Sequence, residues 1–229
     1  MLILSLDTST ASCSVALHRD GLLLGCYELF TERTSAAMLT TLIQDVVQHA
    51  GYELAQVDAV AIAKGPGSYT GLRIAVSTAK GLCFALDKPL LAVNTLAGMS
   101  EQVRAYYPDT HTLCPMIDAR RMEVYCAFYN TNGQEIQPTS AQIIDENSFN
   151  TWLSQGPVVF FGDGAAKCQA VLGKQPNAIF PEATIIPSAR TIGQLATAAF
   201  AEGQFEDLAT FEPFYLKDFM TTQPKKLLV

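Results

Sequence analysis

The sequence predicts a duplicated α/β fold: two lobes, each a mixed sheet with an opening hairpin and flanking helices. Three observations predict it. A short apolar run that ends in an aspartate is followed by a hairpin signal and then by alternating helical and extended patterns. The same plan returns near residue 112. Alternation of strands with helices implies a largely parallel sheet, and 229 residues suffice for two lobes with their own cores.

Residues 2–6 form the first apolar run, read as a buried strand ending at Asp7. After the polar turn Thr8, Ser9 and Thr10, the residues Cys13, Val15 and Leu17 alternate with smaller or polar neighbours. Asp20-Gly21 is a hairpin dipeptide ahead of Leu22, Leu23 and Leu24. Thr34 or Ser35 can cap a helix whose apolar stripe is Met38, Leu39, Leu42, Ile43, Val46 and Val47, ended by Gly51. A strand over 59–63 runs through residues 64–73 (KGPGSYTGLR) into a second helix from about Gly71 to Leu86, stopped by Asp87-Lys88-Pro89. A strand over 90–93 and a helix over 95–107 close the first half. In the second half, 113–117 is a strand ending at Asp118, 124–129 pairs with it, and Asn132-Gly133 turns the chain. A helix over 145–155, a strand over 158–161 and helices over 165–172 and 189–202 complete the expected series. The boundary falls at 108/109, giving an N-terminal lobe of residues 1–108 that carries partner-binding helices. The C-terminal lobe is residues 109–229, with a tail that packs back on the first.

Hydrophobic residues make up 49% of the chain and charged residues 16%, against roughly 25% charged in ordinary soluble proteins. Polar cover is therefore scarce, and another protein is expected to cover some apolar surface. A net charge of −7 provides no positive field for a nucleic-acid backbone, so the isolated chain should bind RNA poorly. The six cysteines are scattered without a Cys-x-x-Cys pair and read as reduced thiols of a cytoplasmic protein. The opening MLILSLDTST has no basic n-region and reaches Asp7 after one short apolar run, which predicts neither a signal peptide nor a membrane span.

The repeated strand, aspartate turn and hairpin resembles the duplicated actin-like (ribonuclease H-like) ATPase superfamily. Asp7-Thr8-Ser9-Thr10, residues 64–73, 118–125 (DARRMEVY), 162–165 (GDGA) and 212–216 (EPFYL) together resemble the TsaB family, bacterial proteins of tRNA threonylcarbamoyladenosine biosynthesis once grouped with glycoproteases. The resemblance implies a non-catalytic accessory subunit that supports a TsaD-like catalytic paralogue together with a TsaE-like ATPase. It also implies a homodimer when the chain is alone, and contact with tRNA only through the assembly.

The residues carry little chemistry of their own. Catalytic relatives hold a metal with a His-x-x-x-His pair, because a spacing of four puts both imidazoles on one helical face. Here that stretch reads Thr34, Ser35, Ala36, Ala37, Met38, and His18, His49 and His111 fall in three different elements. Neither a metal nor a cofactor is expected. Actin-like ATPases cradle phosphates at the two hairpin tips, where glycine lets backbone approach an anion. This chain offers Ser9 and Arg120 there, while keeping Asp7 and Asp118. The candidate nucleotide contacts are Asp7, Thr8, Ser9, Asp118, Gly162, Asp163 and Gly164; the competing reading makes the aspartates turn caps. Arg120 and Arg121 suit a phosphate, or else solvent or a partner's acidic group. Gly65-Pro66-Gly67-Ser68 is either an anion-binding turn or a tight turn capped by Ser68. An enzyme in its own right, a nucleotide-dependent transferase or a peptidase acting on the partner, is the alternative reading.

Small residues recur at spacing four on the second helix: Gly71, Ala75 and Ala79 on one row, and Ser77, Gly81 and Ala85 on another. Such rows let a second helix come close. The expected partner interface is Met38, Leu39, Leu42, Ile43, Val46, Gly71, Ala75, Thr78, Ala79 and Leu82. On that reading Ala75→Glu leaves the monomer folded and abolishes association. Lys217, Lys225 and Lys226 form a basic tail.

Overall fold

The structure, a computed structural model, describes residues 1–30 and 36–216. Thr34, Ser35 and the three tail lysines lie outside them. Strands β1 (Leu2–Asp7), β2 (Ser12–Arg19) and β3 (Leu22–Phe30) form an antiparallel meander. Helix α1 (Ala36–His49) leads to β4 (Ala59–Ala63), then α2 (Tyr69–Leu86) to β5 (Leu90–Val93). The sheet order is β3-β2-β1-β4-β5, with β4 parallel to both β1 and β5. After α3 (Thr95–Val103) the series repeats with β6 (Thr112–Asp118), β7 (Glu123–Asn130), β8 (Glu135–Ile143), α4 (Asn150–Gln155), β9 (Val158–Phe161), α5 (Ala165–Leu172), β10 (Ala178–Ile179) and α6 (Ala189–Ala201). Its order, β10-β9-β6-β7-β8, is the first sheet's order over again. The fold is therefore a duplicated actin-like, ribonuclease H-like pair of mixed five-stranded sheets.

Three elements differ from expectation for local reasons. Helix α4 begins at Asn150 instead of 145, because the Asp145 carboxylate accepts the Asn147 amide at 2.9 Å and holds a turn, and Phe149 then takes φ +65°. Helix α2 begins at Tyr69, where the Ser68 hydroxyl caps the Gly71 N–H at 3.3 Å. The helix expected over 95–107 stops at Val103, and a 3₁₀ turn covers Arg104–Tyr106.

The two halves exchange helices. Leu96, Met99 and Val103 of α3 sit in a core with Leu113, Ile117, Tyr129 and Phe161 of the second sheet. Ile192 and Ala196 of α6 return to the first sheet, against Ile3, Ala61 and Leu91. Gly193 makes that return possible: a Cβ there would stand 2.3 Å from both Ser5 Oγ and His18 Nδ1. The opposite face of the first sheet is covered by α1 and α2, whose Leu39, Ile43, Val46, Val76 and Ala79 pack with Leu4, Leu6, Val15 and Ile62. Each such large aliphatic side chain taken out of water contributes about 1.5–3 kcal/mol.

Past α6 a strap runs beside α2. The Glu206 amide donates to Leu90 O at 2.9 Å, and the Phe214 amide to Lys64 O at 2.8 Å. Lys80 Nζ donates to the carbonyls of Ala209 and Phe211 at 3.3 and 3.0 Å. Tyr215 packs on Tyr69 with ring centroids 4.9 Å apart, and Arg73 donates to its hydroxyl at 3.2 Å. The segment EPFYL thus anchors the strap to the start of α2. Among the described residues, no helix is long and apolar enough to cross a membrane.

Candidate functional site

The turn after β1 is closed by its own chain. Asp7 is fully buried; its Oδ1 accepts the Ser9 N–H at 2.9 Å and the Ser9 hydroxyl at 2.6 Å. Oδ2 has no hydrogen-bond partner among the described residues. Burial pushes the carboxyl from its ordinary 3.8 up to about 6, against the opposing effect of the Ser9 hydrogen bonds. The loop that opens α2 lies directly on this turn. Ser68 N–H donates to Ser9 O at 2.6 Å, and the Thr8 hydroxyl donates to Gly71 O at 2.7 Å. A Cβ added at Gly67 would be 2.3 Å from Ser9 O, and one at Gly71 would be 2.0 Å from Thr8 O. Asp7, Thr8 and Ser9, named above both as candidate nucleotide contacts and, for Asp7, as a turn cap, are enclosed beneath this loop. The amides of Ser68 and Gly71 already have acceptors, so Gly65-Pro66-Gly67-Ser68 serves as a capped strand-to-helix turn.

The second turn is occupied from within. Asp118 Oδ1 accepts the Arg120 N–H at 2.8 Å and forms an ion pair with Lys167 Nζ. Lys167 reaches across from α5 and also donates to Arg121 O at 2.7 Å and Glu123 O at 2.6 Å. Desolvation works to raise the Asp118 pKa, but the Lys167 and Arg120 contacts outweigh it and hold the carboxyl below its ordinary value. The Asp118 N–H in turn donates to Asp163 Oδ1 at 3.0 Å. Asp118 and Asp163 thus lie together, joined through the Asp118 amide, and the Asp118 carboxylate is paired with Lys167. Gly162 and Gly164 allow close packing: added Cβ atoms would meet Met116 O at 2.2 Å and Ile117 C at 2.8 Å. Lys167 was missed because its partner is 49 residues away and no local pattern marks the pair.

The helix face divides differently from the sequence expectation. Leu39, Leu42, Ile43, Val46, Gly71, Ala75 and Ala79 are buried in their own lobe and cannot meet a partner. Ala75 is 0% exposed beneath α2, so Ala75→Glu would put a charge into the core and unfold the lobe; it does not isolate an interface. The outward side of α2 is the other row, Ser77, Gly81 and Ala85, with Met38, Thr78 and Leu82 half-buried at the edges. Phe84 beside that row is 84% exposed. His18 is buried under α6, His49 bonds to the Tyr27 hydroxyl at 2.7 Å, and His111 packs near Tyr107. Among the described residues, no group of three or more His, Cys, Asp or Glu side chains is placed to hold a metal.

Known proteins agree with this architecture. The family model described as TsaD, tRNA N6-adenosine threonylcarbamoyltransferase, matches residues 29–229. The tRNA threonylcarbamoyladenosine biosynthesis protein TsaB of Escherichia coli is 31% identical over 223 residues, covering 95% of each chain. The solved structure of YeaZ from Pseudomonas aeruginosa has a TM-score of 0.79 at 30% identity, over 94% of this chain and 99% of that one. The activator of 2-hydroxyisocaproyl-CoA dehydratase from Clostridium difficile, solved with bound ADPNP, has a TM-score of 0.51 at 10% identity, over 89% and 97% of the two chains, and shares the fold alone. With 31% identity to a TsaB protein over 95% of both chains, and a likeness that extends over almost the full length of such relatives, the chain belongs to the TsaB family.

Proposed function

We propose that this chain is a non-catalytic supporting subunit in the formation of threonylcarbamoyladenosine on tRNA, which holds a TsaD-like catalytic paralogue and helps to seat a TsaE-like ATPase. The observation that carries this reading is the outward side of α2. An 84% exposed phenylalanine stands beside a row of Ser77, Gly81 and Ala85, where a second helix can approach closely. The partner's name comes from the relatives, and the likeness of this chain to the TsaD family makes pairing of two similar folds through similar helices natural. In the partner's absence, the same self-complementary helix surface would pair two copies of this chain in the cytoplasm. Both hairpin cradles are filled by protein groups, so the chain contributes shape and leaves bond-making to the paralogue. Contact with tRNA follows from the assembly, since the chain's net charge of −7 disfavours binding alone.

Gly81→Glu tests the reading without disturbing the core. A Cβ at Gly81 meets nothing within 4 Å, so the variant should fold with wild-type circular dichroism. At the centre of a helix pair its carboxylate would be desolvated without a partner. Self-association by analytical ultracentrifugation, and co-purification with a TsaD-like chain, should both fall at least tenfold. A variant that associates as the wild type does would remove α2 from the interface and sink the proposal.

A further inference from the structure

Between β8 and α4, on the second lobe, an open groove of about 440 Å³ is lined by uncharged side chains alone. Five of them are carboxamides, those of Gln137, Gln142, Asn147, Asn150 and Gln155, and the chain's one tryptophan, Trp152, lines the same groove. No residue of either aspartate turn or of α2 takes part in it. Small-molecule pockets commonly run from about 300 to 1,000 Å³, so the volume is that of a ligand site. We propose that this groove binds a neutral saccharide, whose hydroxyl groups pair with the carboxamides while a C–H face of its ring lies on the indole.

The lining decides the charge of the ligand. An ion in the groove would give up water without meeting a counter-charge, which disfavours phosphates, carboxylates and amines. The lining also decides the hydrogen bonding. Gln137 Oε1 accepts the Trp152 N–H at 2.8 Å, Gln142 Nε2 donates to Ser140 Oγ at 3.2 Å, and Asn150 Oδ1 accepts from Gln175 Nε2 at 3.2 Å. Among the described residues, this leaves the amino groups of Gln137 and Asn150, the Gln142 side-chain oxygen and both ends of Asn147 and Gln155 without a protein partner. Donors and acceptors are thus mixed throughout the groove. A hydroxyl group both donates and accepts, so a polyol satisfies such a mixture wherever it touches. The aromatic part is preset. Trp152 stacks on buried Phe128 with centroids 4.4 Å apart and planes at 12°, and Gln137 holds its N–H. Phe149, which also lines the groove, is held in the left-handed region at φ +65°, with its ring 5.4 Å from that of Phe128 and 5.5 Å from that of Phe160. A platform that is already fixed loses little freedom when a ligand arrives. The electron-rich indole attracts the weakly positive C–H bonds of a pyranose ring. A nucleotide would suit the indole but would bring a phosphate for which the groove offers no cation.

The full chain is titrated with the methyl glycosides of glucose, mannose, galactose and N-acetylglucosamine. Trp152 is the sole tryptophan, so its emission reports on the groove directly, and calorimetry gives a second reading. At least one of these sugars should shift the emission saturably, with half-saturation in the millimolar range. Glucuronate and glucosamine, which carry a charge, should bind at least tenfold more weakly than that sugar. The double variant Asn147→Ala with Gln155→Ala changes two exposed side chains, so it should keep wild-type circular dichroism and its tryptophan while losing at least tenfold in affinity. Trp152→Phe, read by calorimetry, should weaken binding as well, because the smaller ring offers less surface to the sugar. No saturable response to any of these glycosides, an affinity unchanged in both variants, or tighter binding of a charged analogue or of adenosine would each overturn the proposal.

Discussion

Gly71→Ala should be the most damaging single-methyl change in the first lobe, lowering the free energy of unfolding by about 3 kcal/mol. Two effects oppose each other at this position. Alanine in place of glycine inside a helix is worth up to about 1 kcal/mol in favour of the variant. Against that, the new Cβ would lie 2.0 Å from Thr8 O, a buried backbone atom with no freedom to swing aside. Relief requires α2 to move off the turn, which lengthens the Thr8 hydroxyl bond to Gly71 O at 2.7 Å and the Ser68 amide bond to Ser9 O at 2.6 Å. The clash wins because it acts on two backbone segments at once. For a chain of this length the midpoint of thermal unfolding should fall by roughly 6–12 °C. Gly81→Ala is the internal control. It sits on the same helix with open space around it, and should gain up to about 1 kcal/mol from propensity alone. Urea unfolding of both variants measures the contrast; a Gly71→Ala chain as stable as the wild type would mean that α2 is not seated on the first turn.

Much of this fold was legible because the signals are local. The apolar run ending at Asp7, the Asp20-Gly21 turn and the capped start of α2 each follow from a few adjacent residues, and each appears in the structure. The second sheet repeats the first because the same local signals recur after residue 112. What could not be read was which way a face points. Gly71, Ala75 and Ala79 look like Ser77, Gly81 and Ala85 in sequence, and only the position of the sheet decides that the first row is buried and the second exposed. The exchange of α3 and α6 between the sheets was hidden for a related reason: an amphipathic helix announces that it covers something, not which sheet it covers. At the cradles, Asp7 and Asp118 stand at matching strand ends and looked alike. The structure separates them by burial, one closed under a glycine-lined loop and the other held at the surface by Lys167.

That burial gives Asp7 the second large expected effect. Because the folded chain keeps the Asp7 proton up to about pH 6 while the unfolded chain releases it near 3.8, folding binds a proton between those values. Stability from this group is therefore greatest in acid, declines as pH rises from about 4 to about 6, and is level above that. The interval between 3.8 and about 6 amounts to about 3 kcal/mol at 1.36 kcal/mol per pH unit. Asp7→Asn removes the charge while retaining an Oδ1 that can accept both Ser9 bonds, and its amide resembles the protonated acid in shape. The variant should match the wild type near pH 4 and exceed it by up to about 3 kcal/mol at pH 7.5. Other titrating groups cancel in the difference, so urea unfolding of the two chains across this range isolates Asp7. A variant less stable than the wild type at pH 7.5 would show that the ionised carboxylate has a partner inside the turn, and that the turn is built to hold a charge and not merely to exclude one.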